Sequence, residues 1–233
     1  MHDVMESAIA SGTKTKIRIL PDPRTPEIDH RTIKLLVGLT ASFLAIVTGW
    51  LAEYTIPSIS ESYYAGPWAQ AVFIGCLFAI SAFLLCYNGK TRGEMIGSKV
   101  AALAGLGVAL FPCGCAGHDE IIAHVHFGSA AVMFGILAYF CYKFHVRAQS
   151  KGYPQAKRRA YIYALCGFTI VLSMLLVAID ALVGLGVTRL VFYCEAAGLM
   201  AFGISWLTAS RTILGIASNA ERFSPFTDRP ATD

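Results

Sequence analysis

The sequence predicts an all-α, polytopic membrane bundle of six transmembrane helices with both termini in the cytoplasm. Three observations lead there. Of 233 residues, 55% are hydrophobic and 15% charged, against roughly 25% charged in soluble chains, and the mean hydropathy is +0.57. The apolar residues gather in blocks of about 20, the length that crosses a hydrocarbon core of about 30 Å as a helix. Lysine and arginine flank those blocks almost entirely on one side.

The spans fall at 33–53, 68–87, 96–111, 121–144, 161–183 and 190–214. Residues 1–31 precede the first, a polar tail with Pro21, Pro23 and Pro26 among charged neighbours. No short apolar core of a secretory signal occurs in it, so the first span is expected to act as an uncleaved anchor. "EYTIPSISESYYAGPW" links the first two spans. The third, "IGSKVAALAGLGVALF", is the shortest and holds Lys99, whose long stem lets its ammonium reach the headgroups from a helix end. The fourth opens in "GHDEIIAHVHFG", and the fifth follows the basic run "QAKRRAYIY". The sixth starts after Arg189, and a polar tail, 217–233, follows the membrane domain at 32–216.

Orientation follows from the basic residues, which are retained on the cytoplasmic side in short loops. Lys14, Lys16, Arg18, Arg24, Arg31 and Lys34 precede or open the first span; Lys90, Arg92 and Lys99 surround the second loop. Lys143, Arg147, Lys151, Lys157, Arg158 and Arg159 fill the fourth loop, and Arg211, Arg222 and Arg229 follow the sixth span. Arg189 alone lies on the other side. The expectation is a multi-pass protein of a bacterial inner (cytoplasmic) membrane. Its net charge of +4 then reflects topology and attraction to anionic lipid, with no call for a nucleic-acid partner.

That topology gathers reactive groups on the outer face. "FPCGCAGHDEIIAHVHFG" contributes Cys113, Cys115, His118, Asp119, Glu120, His124 and His126. The first outer loop adds Ser58, Ser60, Glu61 and Tyr64, and the last two spans add Asp180, Arg189 and Glu195. An acid inside a span costs free energy, so it faces the bundle interior with a partner. Asp180 and Glu195 are expected either to pair with Arg189 or to wall a polar pocket together with Ser58, Ser60 and Tyr64. Glu120 and His124 stand four residues apart and share a helix face, whereas His126 lies about 200° around the helix from His124. A metal, zinc for instance, would therefore draw on Glu120 and His124, or on His118, Asp119 and a histidine after a turn, with Glu61 or Glu195 completing the set. No H-E-x-x-H or Cys-x-x-Cys pattern supports such a site.

Cys76, Cys86, Cys141, Cys166 and Cys194 read as small buried hydrophobes. Cys113 and Cys115 stand on the side where a disulfide is permitted, but a bridge across one glycine is strained, and small packing residues at a tight turn are the expectation. Trp50, Tyr54, Tyr63, Tyr64 and Trp68 are placed as an interfacial aromatic belt.

"SISESYY" at 58–64, "GVALFP" at 107–112, "VHF" at 125–127 and "YCEAAGLMAFGISWL" at 193–207 resemble a family of bacterial multi-pass membrane proteins with a domain of unknown function. The resemblance covers about 35–210 and implies that Ser60, Glu61, His126 and Glu195 form the polar signature; it implies no activity. "CGCAGHDEIIAH" departs from that pattern. Ceramidase-like hydrolases are a poorer match, because their late H-x-x-x-H has no counterpart after His145.

Two functions are compatible with these residues. One is a non-catalytic membrane component that binds a lipid or small apolar ligand, or serves as accessory subunit of a larger membrane complex or homo-oligomer. The other is a membrane-embedded hydrolase or transferase on a lipid-like substrate. There Glu61 or Glu195 would act as general acid or base, with His126 as partner or metal ligand.

Overall fold

A computed structural model describes residues 29–114, 120–213, 215–217 and 222, except for the side chains of 120 and 121. Its helices are α1 (His30–Leu51), α2 (Pro67–Cys86), α3 (Arg92–Leu110), α4 (Glu120–Gln149), α5 (Pro154–Val183) and α6 (Leu190–Ser210). A short 3-10 helix, Ser60–Tyr63, lies between α1 and α2, and no strand occurs among the described residues. All six α-helices are long and apolar enough to cross a membrane.

Local chemistry sets the ends. The Asp29 carboxylate accepts the Arg31 N–H at 3.0 Å and opens α1, satisfying one of the N–H groups that a helix start leaves over. Prolines begin α2 and α5, where a missing N–H costs nothing. Gly184, at φ 63°, ends α5 in the left-handed conformation, as glycine does without a Cβ penalty.

The third span is longer than its apolar run suggests. It begins at Arg92, after a Thr91 cap that accepts the Glu94 N–H at 3.3 Å. Glu94 accepts the Lys90 N–H at 3.0 Å, pairs with Arg147 of α4, and is fully buried. Lys99 does not weaken the span. Its ammonium donates to the carbonyls of Leu85 and Tyr87 and to Asn88 Oδ1, at the negative end of α2.

Each helix packs on its sequence neighbours, and α6 returns to α1, so the six form a closed ring. The tightest join is α1 on α6. A Cβ built on Gly38 would lie 2.8 Å from the Leu207 nitrogen and 2.9 Å from the Gly203 carbonyl oxygen, so only a bare backbone allows this approach. The start of α1 and the end of α6 share one end of the bundle. His30 stacks edge-on against Tyr87 at 5.8 Å, and Tyr87 against Trp206 at 5.0 Å. Phe140, Phe144 and Phe202 complete this aromatic core. The opposite end is built differently: the loop after α1 folds inward there, burying Ile56, Ile59 and Ala65, and a cavity lies beneath it.

Candidate functional site

The cavity holds about 600 Å³ and lies among α4, α5, α6 and the 57–61 segment. Small side chains create it. Ala130 and Ala131 of α4 and Ala178 and Ala181 of α5 line the space that larger residues would fill at native packing density. Phe127, Phe134, Met174, Val177 and Val191 supply most of the remaining apolar wall. Ser58, Ser60, Glu61, His126, Asp180 and Glu195 also line it.

Three of these polar residues join in one hydrogen-bonded chain. Glu195 Oε2 accepts the Ile59 N–H at 2.5 Å and the Ser60 N–H at 3.3 Å, while Oε1 lies 2.9 Å from Ser60 Oγ. Those N–H groups open the 3-10 helix, where the backbone has no donor use of its own. Ser60 Oγ is also 3.1 Å from His126 Nε2, and His126 Nδ1 is 2.6 Å from the Phe111 carbonyl oxygen. His126 is 1% exposed. The Phe111 carbonyl is available because α3 stops at Leu110 and Phe111 is extended, at φ −107° and ψ 108°, as the residue before Pro112 must be.

This chain pins the loop after α1 to α3, α4 and α6. Further ties reinforce it: Phe192 N–H donates to the Pro57 carbonyl at 3.0 Å, and Arg189 Nε to the Ile56 carbonyl at 3.0 Å. Glu61 belongs to a separate pair. Its carboxylate accepts from Tyr54 Oη at 3.1 Å, and its N–H donates to Ser58 Oγ at 3.1 Å. Partial desolvation and then the Glu61 hydrogen bond push the Tyr54 phenol above its ordinary value.

The other expected residues are distributed differently. Asp180 and Arg189 do not form an ion pair. Asp180 accepts the Leu185 N–H at 2.9 Å, closing the turn after α5, and Arg189 lies 4.2 Å over the Phe192 ring. Glu195 does not pair with Arg189 either, because the backbone of 59–60 and Ser60 occupy its carboxylate. Tyr64 is outside the cavity wall and donates to the Cys113 carbonyl at 3.3 Å. Its phenol is also raised, by desolvation and then by Tyr63.

Cys113 is disulfide-bonded, in place of the free packing residue expected. Cys115 lies outside the described residues. Cys141, Cys166 and Cys194 are buried thiols, but Cys76 is only half-buried and Cys86 is exposed. His118, Asp119 and the Glu120 side chain are outside the described residues, and His124 is on an exposed face, turned away from buried His126. Among the described residues no three His, Cys, Asp or Glu side chains gather as a metal site. Trp50, Tyr54 and Trp68 are exposed, as a belt would be, while Tyr63 and Tyr64 are half-buried and meet edge-on at 5.2 Å.

Sequence reasoning missed the apolar walls, whose alanines look like ordinary span residues, and the Phe111 carbonyl, which no side-chain type announces. The proline after it was the available signal. Comparison with protein families, curated proteins and solved structures finds no match to this chain.

Proposed function

We propose that this chain is a multi-pass protein of a bacterial cytoplasmic membrane whose cavity binds a lipid-like amphiphile from the outer leaflet. The observation that carries the reading is the division of the cavity. Apolar side chains of α4, α5 and α6 form most of its wall, and Ser60, His126 and Glu195 form one polar region. Its volume of about 600 Å³ falls within the roughly 300–1,000 Å³ of small-ligand sites, whose walls are mostly apolar with a few placed polar groups. An apolar tail fills such a space favourably, at about 25 cal/mol per Å² buried. The hydroxyl, imidazole and carboxyl groups that line one side of it give a polar head something to hydrogen-bond.

The orientation rests on charge. Lys90, Arg92, Lys99, Arg147, Lys151, Lys157 and Arg211 lie in or beside the α2–α3 and α4–α5 connections and the end of α6, so the positive-inside rule sets that end in the cytoplasm. The cavity then faces out.

Native mass spectrometry of the protein in mild detergent tests the binding. One retained amphiphile per chain is expected, and none in Ala178→Trp. Ala178 lines the cavity and is itself exposed, so a larger side chain fills the space without displacing the core. Protein that carries no amphiphile, or an Ala178→Trp variant that carries as much as the parent, contradicts the reading.

A further inference from the structure

We propose that Ser60 is the nucleophile of an acyl-transfer reaction and His126 its general base, acting on an acyl ester whose apolar part occupies the cavity. This rests on the reading of the cavity as an amphiphile site and adds a reaction to it.

The tautomer of His126 is set by its neighbours. The Phe111 carbonyl can only accept, so at 2.6 Å His126 Nδ1 must carry a proton. In the neutral imidazole Nε2 is then a lone pair, facing Ser60 Oγ at 3.1 Å. That is the arrangement a serine nucleophile requires: hydroxyl on base within hydrogen-bond reach, and the base held in the right tautomer by a third group. A backbone carbonyl takes the place that a carboxylate holds in the commoner triad.

Serine has one proton to give. With Glu195 a carboxylate, Ser60 Oγ gives it to Oε1 at 2.9 Å; with Glu195 protonated, the carboxyl donates across the same contact and the Ser60 proton is left for Nε2. The alternative distribution, carboxylate and imidazolium with Ser60 between them, contains the same number of protons. Both have no net charge, as an apolar surrounding demands, and one converts to the other by two transfers through Ser60 Oγ. His126 therefore gains or gives up a proton at Nε2 without a water molecule having to enter.

In the reaction Ser60 Oγ attacks the ester carbonyl carbon as its proton passes to His126 Nε2. The bond from carbonyl carbon to alcohol oxygen breaks, and Nε2 returns the proton to the departing alcohol. The acyl-Ser60 is then attacked by water, or by the hydroxyl of an acceptor amphiphile; its proton passes to Nε2, the bond from acyl carbon to Ser60 Oγ breaks, and Nε2 returns the proton to Ser60 Oγ. No electrons change hands. Ser58, on the same wall, takes the Glu61 N–H at 3.1 Å, and its own hydroxyl proton remains to be given to the carbonyl oxygen as charge develops there.

The test treats the full chain in mild detergent with an alkyl fluorophosphonate, which phosphonylates activated serines, and measures retained amphiphile in parallel by native mass spectrometry. The expected result is an adduct on the Ser60 peptide, absent in Ser60→Ala, and formed about 100-fold or more slowly in His126→Gln, the range of a lost general base. Parent protein that retains amphiphile but forms no adduct on Ser60 overturns the nucleophile and leaves the binding site standing. Adduct that persists in Ser60→Ala also overturns it. Parent protein with neither amphiphile nor adduct defeats both readings together.

Discussion

At Glu195 the geometry makes a sharp distinction between two substitutions. A glutamine amide can donate to Ser60 Oγ while its carbonyl oxygen accepts from Ile59, reproducing the hydrogen bonds of a protonated carboxyl. Glu195→Gln should shift stability by less than about 1 kcal/mol, whereas Glu195→Ala strands the Ile59 and Ser60 N–H groups and should cost about 1–3 kcal/mol. Thermal melting in one detergent reads both, and equal losses would contradict a protonated Glu195. Ser60, His126 and Glu195 were each legible in the sequence as polar residues in apolar surroundings. Their connection was not. They come from three segments, their register depends on how the segments face one another, and the partner that fixes the His126 tautomer is a main-chain atom.

Among the elements, α1 and α6 show how little space the ring leaves. Gly38→Leu would drive a side chain into the Leu207 and Gly203 backbone at under 3 Å. It should abolish the folded species in size-exclusion chromatography; Gly75→Leu, with nothing within 4 Å of its built Cβ, should leave it intact. The third helix carries a second expectation. Glu94→Ala leaves Arg147 without its partner in a partly buried place, and breaking such a pair costs about 3–5 kcal/mol, read as lost thermal stability. Span positions were legible because apolar blocks of the right length have few other uses in a chain. The start of α3 was hidden because charged residues lower local hydropathy, although Glu94 is buried by a partner on another helix.

For the molecule as a whole, one end of the ring is filled by Tyr87, Phe140, Phe144, Phe202 and Trp206, and the other is left hollow beneath the loop after α1. This asymmetry is what the sequence least discloses: alanine spacing on α4 and α5 has no meaning until α6 is placed against them. It also gives topology a functional consequence. A membrane-impermeant maleimide should label Gly186→Cys, in the α5–α6 turn, in intact cells, and should label Gly152→Cys, in the α4–α5 turn, only after lysis. The reversed pattern would move the cavity to the inner leaflet. Photocrosslinking with a single-chain lipid bearing a diazirine on its tail, followed by peptide mapping, reads occupancy of the cavity directly. Adducts at the cavity-lining positions 127–134, 173–181 and 191–195 are predicted; adducts confined to outward residues such as Leu165, Phe168 and Leu175 would contradict it.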